Sequence, residues 1–278
     1  MTTAGTPGPI RPGSGTPFTA SGRSIGYRPP PWRMRGRTLA LWYRLADPDE
    51  ARRHVPPGVT LERDPIVRAR FWDLQHDAAG PALDADRPDR VAWTPIREAV
   101  VAFPVGYGSL AGDLPTYMYA DDFAYTAMGR ELMGWPVRDA VIEVDREPEA
   151  GPAAGLTIRA RMLRGGAEVM HASVTLADPK STERMPAPPR WLAEKVIGRV
   201  DRPGAAVAQL VATGPERMDR RDVWPATATL AFADAPGDEL IRLAPREIVK
   251  AEYWANVELV VGWGEVLAEL GDGVYGPR

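Results

Sequence analysis

Apolar and polar positions alternate along much of this chain. The run Leu156-Thr157-Ile158-Arg159-Ala160-Arg161-Met162 switches with period two, and a second alternating run covers Glu168 to Leu176. Gly165-Gly166 stands between them, so the pattern predicts a β-hairpin. Thr38 to Arg44, Ile66 to Trp72 and Ala99 to Val105 also read as strands, and Thr227 to Phe232 and Glu247 to Val261 as long late ones. Thr116 to Ala120 runs into Asp121-Asp122, a cap for a helix over Phe123 to Leu132. Asp47-Pro48-Asp49-Glu50 opens a short helix: an aspartate caps it, proline suits its first turn and the acids face its positive end. Arg52, Arg53 and His54 sit at its negative end, and Pro56-Pro57-Gly58 stops it. Pro189 to Val200 has helical spacing. No repeat of solenoid period interrupts the series. The pattern predicts a mainly β (α+β) domain with a few peripheral helices.

The first 31 residues break the pattern. They form a Gly/Pro/Ser/Thr-rich segment that buries too little apolar surface to offset its ordering entropy, so residues 1–31 are expected to be a disordered or loosely attached arm before a domain over 32–278. The formal net charge of −3 argues against nucleic acid or an anionic membrane as a main partner. No apolar run reaches the roughly 18 residues of a membrane span, and a cytoplasmic location is the expectation. Cysteine is absent, which excludes disulfides, thiolate metal sites and a cysteine nucleophile.

Generic motifs add little. His54, His76 and His171 are far apart and show no metal-ligand spacing, so no metal is expected. His54 fits a helix end, His76-Asp77 a loop pair, and His171 a strand that could line a cavity. Gly106-Tyr107-Gly108 lacks the setting of a phosphate cradle, and no G-x-S-x-G elbow occurs. Lysine is confined to Lys180, Lys195 and Lys250, which narrows any amine chemistry.

One segment carries more. Tyr117 to Pro136 reads YMYADDFAYTAMGRELMGWP, and its Met-Tyr strand end, Asp corner, Gly-Arg-Glu-Leu block and aromatic-Pro pair resemble the acetoacetate decarboxylase family. Trp42-Tyr43-Arg44, Val55-Pro56, Val223-Trp224, Leu230 to Phe232 and Pro245-Arg246-Glu247-Ile248-Val249 resemble the family's opening and closing segments. The likeness covers about residues 32 to 275. It implies a closed conical β-barrel with an apolar cavity, no bound cofactor, a small-molecule substrate and homo-oligomeric assembly.

The family's chemistry rests on a lysine that forms a Schiff base with a β-keto acid, its amine freed by an apolar pocket and a neighbouring cation. The two family lysines fall on Val137 and Arg138, and neither residue can form the imine. Glu98, six residues before Pro104, matches the family's active-site glutamate. It reads either as a general acid or base of raised pKa, or as an ion-pair partner of Arg97, Arg130 or Arg138. The family's substrate-facing arginine falls on Gly36, so Arg35 or Arg37 would supply it after a slip of one residue. Met118, Trp135 and Val137 would wall the cavity, and Arg138 would bind substrate beside them.

The expected function is an enzyme of specialised metabolism that takes an apolar, polyketide-like substrate through a lyase, dehydration or cyclisation step without an imine. Two alternatives stand beside it. One is a Schiff-base decarboxylase or aldolase using Lys250; the other is a non-catalytic carrier or sensor. Alternation puts Lys250, Glu252 and Trp254 on one strand face, and the sequence favours an outward, solvated Lys250.

Overall fold

The computed structural model describes residues 30–77, 93–178 and 190–271. Nearly all of the expected arm, together with Lys180, lies outside these residues. The first half of the chain forms β1 (Trp32–Leu45), β2 (Thr60–Leu61), β3 (Val67–His76), β4 (Thr94–Tyr107), β5 (Leu110–Ala120), β6 (Val137–Asp139) and β7 (Val141–Val144). The second half forms β8 (Thr157–Arg164), β9 (Ala167–Leu176), β10 (Arg190–Gly198), β11 (Ala205–Thr213), β12 (Pro215–Phe232), β13 (Pro245–Val261) and β14 (Glu265–Glu269). They make one sheet in the order β14-β11-β10-β5-β4-β3-β1-β13-β12-β9-β8-β7, with β2 on β4 and β6 on β5. Among the described residues the hydrogen-bonded path is open at β14 and β7, so a closed barrel is not formed by pairing alone.

Both faces of the central strands are buried, which explains why their sequences run apolar rather than strictly alternating. On β3, Val67, Ala69 and Phe71 enter one core with Leu39, Val101, Tyr119, Met170 and Tyr253. Trp72 and Leu74 enter a second core with Met34, Val100, Met118, Trp135, Val137 and Trp254. The second core is closed by α1 (Phe123–Met128), a π-helical turn at Gly129–Met133 and β10.

Local signals explain these elements. Asp122 caps α1 as its sequence suggests: its side chain accepts the Tyr125 N–H at 2.6 Å. Gly134 ends the π turn at φ 71°, where a Cβ would stand 2.6 Å from Lys195 Cβ, so only glycine fits. β8 and β9 form the expected hairpin around Gly165-Gly166. The turn after Asp47 is a 3-10 helix, Glu50–His54, and Asp47 accepts the Asp49 N–H at 3.0 Å.

One expectation fails. The helical spacing of Pro189 to Val200 belongs to β10, paired with β11 from Trp191 to Gly198. Trp191, Leu192 and Ala193 are all buried because that end of the strand is covered on both faces, and a continuous apolar run mimics a helix stripe.

Candidate active site

The second core carries the polar groups of interest. Strand register sets them in rows across the sheet. Glu98 on β4 lies opposite Trp72 on β3, Trp72 opposite Thr38 on β1, and Thr38 opposite Trp254 on β13. Two residues along, the next row is Val100, Arg70, Ala40 and Glu252. β5 then brings Met118 beside Val100, and β6 brings Val137 beside Met118.

Glu98 is 2% exposed. The Tyr125 hydroxyl, held by the capped start of α1, donates to its Oε2. Burial drives the Glu98 carboxyl up to about 7, against the opposing pull of the Tyr125 hydrogen bond and the Arg70 charge. Burial and the Glu98 charge drive the Tyr125 phenol well above its ordinary value, so it stays a donor. Glu98 opens on a narrow pocket walled by Met34, Trp72, Leu74, Trp135, Trp191 and Leu259, with a cavity volume of about 20 Å³. Three indoles in such a wall leave a tight apolar slot, with room for about one water molecule.

The residues expected at the site separate into two sets. Glu98, Met118, Trp135 and Val137 come together in the second core, but only Glu98 and Trp135 line the slot; Met118 and Val137, expected as cavity wall, are packed in the core away from its lining. Val137 is 1% exposed and packs where any Cβ on Gly129 would meet its Cγ2 at 2.9 Å. Arg138 points to the other face of β6, 5.6 Å over the Tyr117 ring and 3.9 Å from Asp238. Arg35 and Arg37 also leave by the other face: Arg35 bonds Gln75, and Arg37 pairs with Asp73 at 2.6 Å. Gly36 between them lies so close to β3 that a Cβ would stand 2.1 Å from the Asp73 carbonyl oxygen. No side chain fits there, and β1 sends no arginine to Glu98.

Glu98 is not held by Arg97, Arg130 or Arg138. Arg97 pairs with Asp73 and Asp121 on the opposite face, and Arg138 is placed as above. Lys250 shares a face with Glu252 and Trp254, as alternation indicates, but sits at its rim, half exposed, 2.7 Å from Glu252 and 4.9 Å over Trp42. His76 is fully buried against the Tyr125 ring at 5.7 Å, not in a solvated loop pair, and burial lowers its pKa. His54 pairs with Glu50 and His171 with Glu168, the latter in a surface groove.

Sequence reasoning missed Tyr125, Arg70, Arg220, Trp72, Trp191 and Trp254. Arg70 had a legible signal: it alternates with Ala69 and Phe71 on a strand whose two faces are both apolar.

A curled, two-cored β-sheet with a buried acid against an apolar slot defines the class. The acetoacetate decarboxylase (ADC) family model matches residues 15–270. This chain belongs to that family. An acetoacetate decarboxylase from Paraburkholderia phytofirmans is 28% identical over 244 residues, covering 87% of this chain and 88% of that protein. Among solved structures, the enduracididine biosynthesis enzyme MppR, complexed with the condensation product of pyruvate and imidazole 4-carboxaldehyde, is 24% identical. The two superpose with a TM-score of 0.77, over 95% of this chain and 98% of that one. An acetoacetate decarboxylase-like enzyme from Sphingomonas wittichii is 16% identical with a TM-score of 0.74, over 86% and 94%.

Proposed function

We propose that this protein is an acid–base enzyme on the acetoacetate decarboxylase scaffold. It acts on a compact carbonyl compound through a lyase, dehydration or cyclisation step that uses no imine. The observation that carries this reading is Glu98: buried, poised near pH 7, bonded by Tyr125 and facing an apolar slot. Val137, which falls at the family's lysine position, is buried in the same core. A carboxyl titrating near the working pH is suited to both giving and taking a proton. In its ionised form Glu98 takes a proton from carbon next to a carbonyl. Tyr125 fixes Oε2 and, as a permanent donor, spreads the charge. In its neutral form Glu98 returns the proton to a leaving hydroxyl or to the enolate. The curled sheet serves as the cone that shields these steps from water.

The related structure that holds a pyruvate condensation product supports small oxo compounds as probes. The test is hydrogen exchange at the α-carbon of compact ketones and oxo acids in heavy water, followed by NMR. Exchange should be catalysed and should rise with pH through about 7. No compound exchanging faster with the protein than with its Glu98→Gln variant would sink the proposal.

Amine chemistry is expected to be absent. Acetoacetate should lose carbon dioxide at the background rate, and borohydride with pyruvate should leave no reduced adduct. Lys250→Met should alter neither result, since the Lys250 ammonium is already engaged by Glu252 at 2.7 Å. A borohydride adduct mapped to Lys250 would restore the Schiff-base alternative on β13.

A further inference from the structure

One donor in the wall of the slot has no acceptor. Trp72 lines the slot and is 2% exposed. Its Nε1–H is buried and finds no hydrogen-bond partner among the described residues. The Thr38 hydroxyl, opposite Trp72 on β1, does not take it. Two other indoles of this core are engaged: Trp135 donates to Thr213 at 2.7 Å and Trp254 to Glu252 at 2.7 Å. A buried N–H without an acceptor gives up its bond to water and gains none in return, so folded proteins rarely keep one that has no use.

The place of this donor suits the reaction. Trp72 on β3 and Glu98 on β4 are direct cross-strand partners, so their side chains leave one face of the sheet side by side. Tyr125 donates to Glu98 Oε2, which leaves Oε1 to receive a proton. The Arg70 guanidinium carbon stands 5.9 Å from the Trp72 ring, so a positive charge lies close to the same indole. Removing a proton beside a carbonyl puts negative charge on the carbonyl oxygen. A preset donor in a water-poor site stabilises that charge far more than it stabilises the neutral carbonyl.

The size of the slot sets what enters. It has room for about one water-sized group. A single oxygen fits; the paired oxygens of a carboxylate do not. Met218 alone among the lining residues is partly exposed, which puts the opening on that side.

We propose that Trp72 is a second catalytic residue, whose indole N–H holds the carbonyl oxygen of the substrate while Glu98 works on the neighbouring carbon. The proposal rests on the acid–base role of Glu98 and supplies the charge acceptor which that role needs. The proton passes from the α-carbon to Glu98 Oε1. The C–H electron pair becomes the new carbon–carbon double bond, and the carbonyl pair moves onto oxygen. There the Trp72 N–H bonds it without giving up its own proton. Return of the proton from Glu98 reverses each change. The group recognised is a lone carbonyl oxygen.

Exchange kinetics and indole NMR on the intact protein test this with butanone and cyclopentanone. Trp72→Phe should lower kcat for α-hydrogen exchange by about 10²–10³-fold and change KM far less. The rise with pH through about 7 should remain, since it belongs to Glu98. In the protein with isotope-labelled tryptophan, the Trp72 N–H signal, identified by its loss in Trp72→Phe, should move downfield when either ketone binds. The Trp135 N–H, already bonded to Thr213, should move far less. Should Trp72→Phe fail to fold, 3-benzothienylalanine at position 72, with sulfur in place of the N–H, replaces it in both measurements. Exchange at the wild-type kcat in the variant, or an unmoved Trp72 signal with ketone up to roughly 20 mM, would overturn the proposal. Glu98→Gln separates the two readings: it should lose exchange yet keep the Trp72 shift. Exchange that needs Glu98 and ignores Trp72 would leave the acid–base role standing and remove the donor alone. No exchange by the wild-type protein removes both.

Discussion

Glu98→Gln is expected to slow catalysed α-hydrogen exchange by about 10²–10⁴-fold and, at the same time, to make the folded protein more stable above pH 7. The two effects share one cause. In the fold the Glu98 carboxyl titrates near 7, against 4.5 in an unconstrained chain. The folded state therefore holds this proton more tightly than the unfolded state does. Stability from this group is fully present below about pH 4.5, falls as pH rises, and is lost by about pH 7. The difference of 2.5 between these values corresponds to an upper figure of about 3 kcal/mol. Gln keeps an acceptor for the Tyr125 hydroxyl and carries no charge to bury. Urea unfolding of both proteins at pH 5 and pH 8 checks the sign: the variant should gain on wild type at pH 8 and show little gain at pH 5. A variant less stable than wild type at pH 8 would mean that the Glu98 anion is held by favourable contacts, not merely tolerated.

Asp113→Ala should produce the largest loss of stability. Asp113 is fully buried on β5 and is the carboxylate shared by Arg68 and Arg70. Removing it strands the buried Arg70 and the partly buried Arg68 without an anion. Breaking a buried pair from one side costs about 3–5 kcal/mol, which corresponds to a fall in melting temperature of roughly 10 °C for a chain of this size. Calorimetry measures it directly. A shift below about 1 kcal/mol would show that water reaches both guanidiniums freely. The triple change Arg68→Met, Arg70→Met, Asp113→Leu should recover much of the loss, since apolar replacement of a whole buried network is often neutral.

The sequence made some of this plain. The Gly165-Gly166 hairpin, the Asp122 cap and the two late strands rest on near-neighbour chemistry, and β8, β9, α1, β12 and β13 follow it. Glu98, Trp135 and Val137 were found by likeness to a family pattern, and the fold brings them together. The polar surround of the second core was hidden. Arg70 and Arg220 both stand against Trp254 because β1 holds β3 and β13 in register on its two sides, and β13 holds β12. No local window contains those pairings. Arg35 and Arg37 misled for a related reason: the close approach at Gly36 admits no side chain, and its neighbours turn to the other face. Lys250 shows the limit of alternation alone. The pattern paired it correctly with Glu252 and Trp254, but β13 is 17 residues long and runs from a sealed interior to a wet rim along a single face.

The crowd of indoles around Glu98 has a practical consequence. Trp135 meets Trp191 at 5.1 Å and Trp32 at 6.3 Å, both edge to face, and Trp72 meets Trp254 at 5.9 Å. Rings this close and this tilted couple their electronic transitions, so the site should dominate the near-ultraviolet circular dichroism of the molecule. Ionisation of a carboxyl, or arrival of a ligand, then changes an optical signal that needs no label and no knowledge of the reaction. Colourless compounds can be screened for entry into the site by that signal before any turnover has been seen.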